Sequence, residues 1–318
     1  MREVPVEEYL DFVSKNKSIV IEDQVISLEP IEVKRFEPLP EELTDVSTTV
    51  WSFPERGSWA THRGDYRGNW APQIPRALIL KYTEPGDVVL DPMVGSGTTC
   101  IEALLLNRNC IAVDINYDAV MLTHHRLYHL VNALKEGRRN LLYYTQEREE
   151  GVKAWYRVFH GDARRLEIPD NSIDLVATHP PYFNIIKYGK EKAEGDLSKT
   201  KNLEEYLILL KQVAREIYRV LKPGGVLGVL VGDTRIKKHY VPITHYVLLT
   251  LLDVGFVLKE EVIKIQHKMK TTREVWRKLK ERDFLLIYHE KLFILEKPKQ
   301  AEVELKYSVK PPFIELKI

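Results

Sequence analysis

One stretch constrains this chain more than any other: Asp91-Pro92-Met93-Val94-Gly95-Ser96-Gly97-Thr98-Thr99. The residues before it, Val88-Val89-Leu90, are β-branched and apolar, the pattern of a buried parallel strand. Cys100 to Leu106 after it are mostly apolar, without Gly or Pro, and read as a helix opened by a Thr cap. Strand, glycine turn and helix form a cradle for a ligand. Glycines let the backbone come close, and the unpaired N–H groups of the helix start attract a carboxylate or phosphate. The plainer alternative is an ordinary βα turn.

The next strand favours a binding site. Cys110-Ile111-Ala112-Val113 ends in Asp114, where an acid is placed to accept the two hydroxyls of a ribose. A nucleoside-bearing cofactor is therefore expected. Trp155 to His160 forms a third strand, followed by Gly161-Asp162, and Ile173 to Ala177 a fourth, running into Thr178-His179-Pro180-Pro181-Tyr182. Helices are expected over 75–81, 117–134, 206–221 and 241–252, and Val226 to Val231 is a wholly buried strand. Phe256 to Ile265 and Phe284 to Leu295 read as an antiparallel pair. Strands alternating with helices predict an α/β fold, a doubly wound and mostly parallel sheet. Ligands of such sheets sit outside the carboxyl ends of the strands, where Asp91, Asp114, Asp162 and His179 would all lie.

Residues 1–50 differ from residues 51–318. Val6 to Leu10 starts a helix, Ser18 to Val33 suits two short strands, and Pro38 and Pro40 close the segment. It is either a flap packed on the main domain or a small substrate-gripping module. From Trp51 to Arg76 the chain is dense in aromatic, Gly, Pro and polar residues with little periodicity, which suits the wall of a ligand pocket. His124, His125 and His129 share one helix, but no acid completes a ligand set, so no metal is expected.

Composition narrows the class further. The 318 residues carry a net charge of +1, so affinity for a polyanion has to come from local patches. Cys100 and Cys110 are the only cysteines and both lie in apolar patterns, which reads as two buried thiols in a reducing compartment. No apolar run approaches ~20 residues, and the N-terminus has no apolar signal segment. A cytoplasmic protein without membrane contact is expected.

Asp91 to Thr99 resembles the D-P-F-x-G-S-G-T-T motif of the S-adenosylmethionine-dependent amino methyltransferases of nucleic acids. His179-Pro180-Pro181-Tyr182 is similar to their D-P-P-Y or S-P-P-Y signature, and Tyr218 to Gly225 matches the approach to their fifth strand. The resemblance spans Trp51 to about Lys297 and implies a Rossmann-like methyltransferase fold with S-adenosylmethionine as cofactor. It implies that Asp91, Gly95, Gly97 and Thr98 hold the methionine end, Asp114 the ribose and Asp162 the adenine amino group. Tyr66, Asn69 and Trp70 would close over the methionine end. His179 and Pro180 would be acceptors for an exocyclic amino group, and Tyr182 would stack on a flipped or unpaired base.

This chain departs from the family at His179, where the relatives carry Asp or Ser. A neutral imidazole can accept a hydrogen bond, and the neighbourhood of Thr178 to Tyr182 is closer to the form linked with cytosine N4. The inserts at 183–202 and 267–283 are too small to be target-reading domains. Both are basic. Lys187, Lys190, Lys268, Lys270, Arg273, Trp276 and Arg277 are candidates for phosphate tracking and base stacking, and Arg164 and Arg165 for an extension of that rim. Structured RNA, such as ribosomal RNA, is the favoured partner. A DNA cytosine-N4 or adenine-N6 enzyme, a non-catalytic RNA-binding protein and a methylase of protein glutamine are the alternatives.

Overall fold

The computed structural model describes residues 1–21, 24–142, 154–183, 195–267, 283–299 and 308–309. Its centre is a run of parallel strands, β5 (Val88–Asp91), β6 (Asn109–Asp114), β7 (Tyr156–His160), β8 (Ile173–Thr178) and β9 (Leu221–Val231). Their order in the sheet is β7-β6-β5-β8-β9. The chain builds outward from β5 to β7, then crosses back to start β8 on the other side of β5. That reversal leaves a crevice at the carboxyl ends of β5 and β8. The strands are apolar on both faces because helices cover both: Val89, Leu90, Ala112, Val113, Leu175 and Val176 are all fully buried or nearly so.

The expected antiparallel pair is present as β12 (Val257–Ile265) and β13 (His289–Glu296), with β13 antiparallel to β9. β13 begins later than Phe284. The sheet also has two edges that hydrophobic pattern does not reveal. β1 (Arg2–Glu3) pairs antiparallel with β7, and β4 (Val50–Ser52) pairs parallel with β12. Both are only two or three residues long, too short to show a period of two. The hairpin of β10 (Thr234–Ile236) and β11 (His239–Val241) escapes the pattern for the same reason; helices α2 (Gln73–Tyr82) and α5 (Leu203–Val220) are found close to where they are expected, and α6 (Ile243–Val254) starts after the hairpin.

Residues 1–21 and 24–29 are laid over the helix that follows β6, and residues 49–52 run along β12 at the opposite edge of the sheet. Helix α1 (Val6–Lys15) packs against α4 (Tyr117–Leu142), and Val4 N–H donates to Val158 O at 2.9 Å. The hairpin β2 (Ser18–Ile21) and β3 (Gln24–Ser27) places Ile19, Ile21 and Ile26 in one cluster with Tyr66, Ala119 and Leu122. Two of the three histidines of α4 tie this segment down. His124 Nε2 lies 2.7 Å from Val4 O, and His125 bridges Tyr9 Oη and Glu29 O at 2.9 and 3.1 Å. His129 sits edge-on against His125.

Two local expectations are corrected. Helix α3 (Thr98–Leu105) is capped by Gly97, at φ 85°, and not by a threonine hydroxyl. The chain turns through the left-handed region there, and a glycine does this without steric cost. Cys100 and Cys110 are not separate thiols; they form a disulfide. Cys100 faces inward on α3 and Cys110 lies on the adjacent β6, which brings their Cα atoms to 5.4 Å, within bridging range. A spacing of ten along the chain gives no hint of that contact. Among the described residues no helix is long and apolar enough to cross a membrane.

Candidate active site

A cleft opens along the carboxyl ends of β5, β6, β7 and β8. Asp91, Gly95, Thr98, Asp114, Asp162, Tyr66, Asn69, Trp70 and His179 all line it. The structure thus gathers into one cavity residues that are more than a hundred positions apart. Gly97 stands beside the wall as the cap of α3. Pro180 and Tyr182 do not line the cleft: Pro180 borders a smaller apolar chamber with Met93, Leu210 and Val247, and Tyr182 stands behind His179 with its hydroxyl 2.6 Å from Nε2. Lys187, Lys190, Lys268, Lys270, Arg273, Trp276 and Arg277 lie outside the described residues.

Asp91 ends β5 and is 2% exposed. It accepts Thr99 Oγ1 at 2.6 Å, Thr178 Oγ1 at 2.8 Å and Met93 N–H at 3.2 Å. It therefore pins the start of α3 and the end of β8 to one carboxylate. Burial pushes its pKa up to about 6, against the pull of those three donors. Asp114 ends β6 and accepts Gly95 N–H at 2.8 Å and Asn116 N–H at 2.9 Å, one on each oxygen. Its pKa is likewise raised to about 6 by burial. Each Asp114 oxygen keeps capacity for a further donor, as a ribose diol would require.

Asp162 is held differently from the expectation. Arg164, read as part of a basic rim, turns back and donates from Nε and Nη2 to Asp162 at 2.6–3.1 Å. Gly195 leaves room for that guanidinium, since a Cβ there would lie 2.1 Å from Nη2. The aromatic stretch latches onto both motifs. The Tyr66 ring covers Gly95, where an added Cβ would meet Cε1 at 3.1 Å, and Asn69 Nδ2 donates to Ser96 Oγ at 3.1 Å. Trp70 stacks on His179 with 5.9 Å between ring centroids and 18° between planes. A buried carboxylate holds the stretch in place: Glu102, fully buried, accepts Trp59 Nε1 at 2.7 Å and Arg76 Nη1 at 3.1 Å, and lies 2.6 Å from His62 Nε2.

His179 is enclosed by Trp70 and Tyr182, and burial lowers its pKa to about 4, so the imidazole is neutral near pH 7. Residues of the wall that local pattern does not single out include Ser96, Asn116 and Asp196. Asn116 follows Asp114 by two residues and is within reach of the same strand-end argument; Asp196 sits in an aperiodic insert and is not. Among the described residues no group of three or more His, Cys, Asp and Glu is placed to hold a metal ion.

The cavity fits a nucleoside bearing an amino-acid tail. Two features of this chain support the fit: Asp114 with unused acceptor capacity, and Thr98 Oγ1, a buried hydroxyl at the start of α3 with no hydrogen-bond partner. A doubly wound sheet with such a cleft at its switch point defines the Rossmann-like class. Comparison with known proteins then gives the family. The profile described as DNA methylase matches residues 4–124 and 173–313, and one described as the RMKL-like methyltransferase domain matches 67–232. The chain belongs to the DNA methylase family, and S-adenosylmethionine is its cofactor.

The type II methyltransferase M2.MboI of Moraxella bovis is 33% identical over 86 residues, 27% of this chain and 32% of that protein. The tRNA (guanine(10)-N2)-dimethyltransferase of Methanothermobacter thermautotrophicus is 30% identical over 207 residues, 65% of this chain and 48% of that protein. The alignments thus span half or less of each of these relatives. A solved S-adenosylmethionine-dependent methyltransferase of Methanosarcina mazei superposes with a TM-score of 0.42 at 16% identity, covering 70% of this chain and 98% of that one.

Proposed function

We propose that this protein methylates the exocyclic N4 amino group of cytosine in structured RNA, ribosomal RNA being the favoured substrate. The observation that carries the reading is the joining of the two motifs in one cleft. Thr178 donates to Asp91, and Trp70 of the aromatic stretch stacks on His179. A cofactor tail at the glycine turn and a base amino group at His179 would then share one enclosed volume.

In this reading Asp114 holds the ribose, Asp162 the adenine amino group once Arg164 yields, and Gly95, Gly97, Thr98, Asn69 and Asp91 frame the methionine end. S-adenosylmethionine, when bound, supplies an electrophilic methyl group. The amino nitrogen of cytosine is a poor nucleophile because its lone pair is drawn into the ring. His179 and the Pro180 carbonyl would accept hydrogen bonds from its two N–H groups and turn the lone pair outward. Methyl transfer leaves that nitrogen positively charged and far more acidic than an imidazolium of pKa about 4, so loss of one proton to His179 is downhill and leaves the neutral methylated base. Tyr182 offers a face to the base; its hydroxyl is held by His179 and Glu290 and its ring edge rests on Gly232, where a Cβ would sit 2.8 Å from Cε2.

Support for RNA comes from the small inserts and from the breadth of the alignment with the archaeal tRNA enzyme. DNA is the second reading, supported by the family profile itself and the type II relatives. Transfer of labelled methyl groups into ribosomal RNA, transfer RNA and duplex DNA, followed by nucleoside mass spectrometry, tests both. N4-methylcytidine in ribosomal RNA is expected. Label in DNA alone overturns the choice of polymer, and N6-methyladenine or N2-methylguanine overturns the choice of base. Cofactor binding with no transfer to any of them favours a non-catalytic binding protein.

A further inference from the structure

Arg56, in the aromatic stretch, carries a charge that nothing in the fold or the two motifs accounts for. Its hydrogen bonds all go to neutral oxygens. Nη1 donates to Gly57 O at 3.2 Å, and Nη2 donates to Trp70 O at 3.3 Å and to Asn69 Oδ1. Its Nε is buried without a partner. Arg126, 1% exposed, lies near enough to repel it, donates from Nη1 to Ser96 O at 3.1 Å and takes the Asp65 carboxylate as its ion pair. The guanidiniums of Arg56 and Arg126 thus share one carboxylate behind the glycine turn. Burial, and then Arg126, pull the pKa of Arg56 down to about 10, which leaves it charged at neutral pH. An enclosed charge without an ion-pair partner is costly to the folded state.

Arg56 also decides which way its neighbours point. Arginine only donates and a carbonyl only accepts. Asn69 lies between one of each: its Oδ1 faces Arg56, and its Nδ2 donates to Arg63 O at 2.9 Å. A flipped amide would set its NH2 against the guanidinium and oxygen against oxygen, so one orientation is left. The second Nδ2 proton goes to Ser96 Oγ at 3.1 Å, which makes Ser96 the acceptor of that contact. The Ser96 O–H proton is left over, and no acceptor among the described residues takes it. Asn69 and Ser96 both line the cleft, beside Thr98, whose buried Oγ1 is also without a partner. Two hydroxyls with protons to give therefore flank Gly97 in the wall.

We propose that Arg56 is a positioning residue for the amino-acid tail of S-adenosylmethionine: acting through Asn69, it commits the Ser96 hydroxyl as a donor to the tail's carboxylate, and its charge sets which end of that zwitterion meets the turn. The proposal rests on the reading that places the methionine end at the glycine turn. A donor chain that starts on a cation is polarised along its length, so its last O–H donates more strongly than that of an isolated serine. The positive side of the wall draws the carboxylate toward Ser96 and Thr98 and turns the ammonium away. Arg56 does not line the cleft itself, so it acts on the tail only through the wall.

The test compares two ligands of the full chain by titration calorimetry: S-adenosylhomocysteine, and methylthioadenosine, which keeps the nucleoside and lacks the amino-acid tail. The wild type is expected to prefer the first. In Arg56→Met that preference should shrink by about 10-fold or more, the scale of one charge-assisted hydrogen bond, with methylthioadenosine affinity within about twofold of the wild type. Asn69→Asp gives Arg56 a carboxylate partner and so keeps the fold, but it cancels the charge and captures the Ser96 proton. The preference should shrink at least as far there. Thr98→Val removes the neighbouring hydroxyl alone and should reduce it as well.

A folded Arg56→Met that weakens both ligands alike, as a purely structural role would, or that keeps the wild-type ratio, overturns the assignment. So does a wild type without the preference. An Asn69→Asp protein with the wild-type ratio does the same, and it carries the decision if Arg56→Met does not fold. If Thr98→Val lowers the ratio and Arg56→Met does not, the role of Arg56 alone fails. If none of the three variants changes it, the tail lies elsewhere, and the placement of the methionine end fails with it.

Discussion

Replacing Asp114 with Asn tests the assignment of the ribose site most sharply, because its effects on folding and on binding can be separated. The carboxylate accepts Gly95 N–H on one oxygen and Asn116 N–H on the other. An amide cannot satisfy both, and leaving one buried N–H unpaired costs about 1–3 kcal/mol. Against this, burial has moved the carboxyl from 3.8 to about 6, so keeping it ionised at pH 8 costs the folded state about 3 kcal/mol, which the amide removes. The two nearly cancel, and urea unfolding at pH 8 should show a stability between unchanged and about 2 kcal/mol higher. Binding has no such offset. Losing a charge-assisted bond to a ribose hydroxyl, worth about 1.5–3 kcal/mol, weakens the cofactor about 10- to 150-fold.

The pH dependence supplies a second check on the same residue. The folded protein holds the Asp114 proton up to about pH 6, where the unfolded chain has already released it near 3.8. Stability therefore falls as pH rises from about 4 to about 6. In Asp114→Asn that fall should be smaller by about 3 kcal/mol, with the share of Asp91 remaining. Titration calorimetry with S-adenosylhomocysteine reads the affinity. A folded Asp114→Asn variant that binds it within about twofold of the wild type would refute the ribose assignment.

Other perturbations follow from the same geometry. Reducing the Cys100–Cys110 bridge, which closes a short loop, should lower stability by about 3 kcal/mol in urea unfolding with and without reductant; coincident curves would show that the bridge contributes nothing. Gly97→Ala forces a φ of 85° on a side-chain-bearing residue and brings its Cβ within 3.3 Å of Thr123 Cγ2, so stability should fall by about 1–2 kcal/mol on thermal unfolding. Glu102→Gln leaves Arg76 and His62 facing a neutral amide in the core and should cost about 3–5 kcal/mol, with faster proteolysis of the aromatic stretch. Because His179 is held near pKa 4, methyl transfer should not decline through protonation of His179 between pH 9 and pH 6 and should fall only as pH approaches 4; a sigmoidal loss near 6.5 in the wild-type rate would show an ordinary, exposed imidazole.

Much of the sheet is legible because its strands are long, apolar and separated by clear turns. β5, β6, β7 and β8 lie within a residue or so of the expected bounds, and each carries its acid or polar group at the carboxyl end. β9 is foreseeable only from Val226, because Lys222-Pro223-Gly224-Gly225 carries the local marks of a helix stop while the sheet extends back to Leu221. Short edge strands such as β1 and β4 have no periodicity to read, and they exist only because a longer neighbour offers them unpaired backbone groups.

Candidate site residues separate the same way. Asp91, Asp114 and the glycine turn can be found because their chemistry depends on their own strand ends. Arg164 reads as a rim residue because its charge says nothing of the carboxylate two positions away that captures it. Glu290 is invisible in the sequence: it is one acid in a strand of mixed residues, and it matters only through a hydroxyl 108 positions earlier in the chain.

By itself, then, the amino-acid sequence determined the α/β class, the glycine turn with its strand-end acids, and the presence of a second motif at His179 to Tyr182. These are local facts, set by hydrophobic period, turn chemistry and the short reach of a strand end. The tertiary structure decided what the parts do to one another. It bonded Cys100 to Cys110, laid the aromatic stretch across both motifs, and put Lys264 and Glu290 behind the imidazole. Those contacts join residues with no periodic relation along the chain, and only the packing of strands and helices into one sheet brings them within hydrogen-bond range.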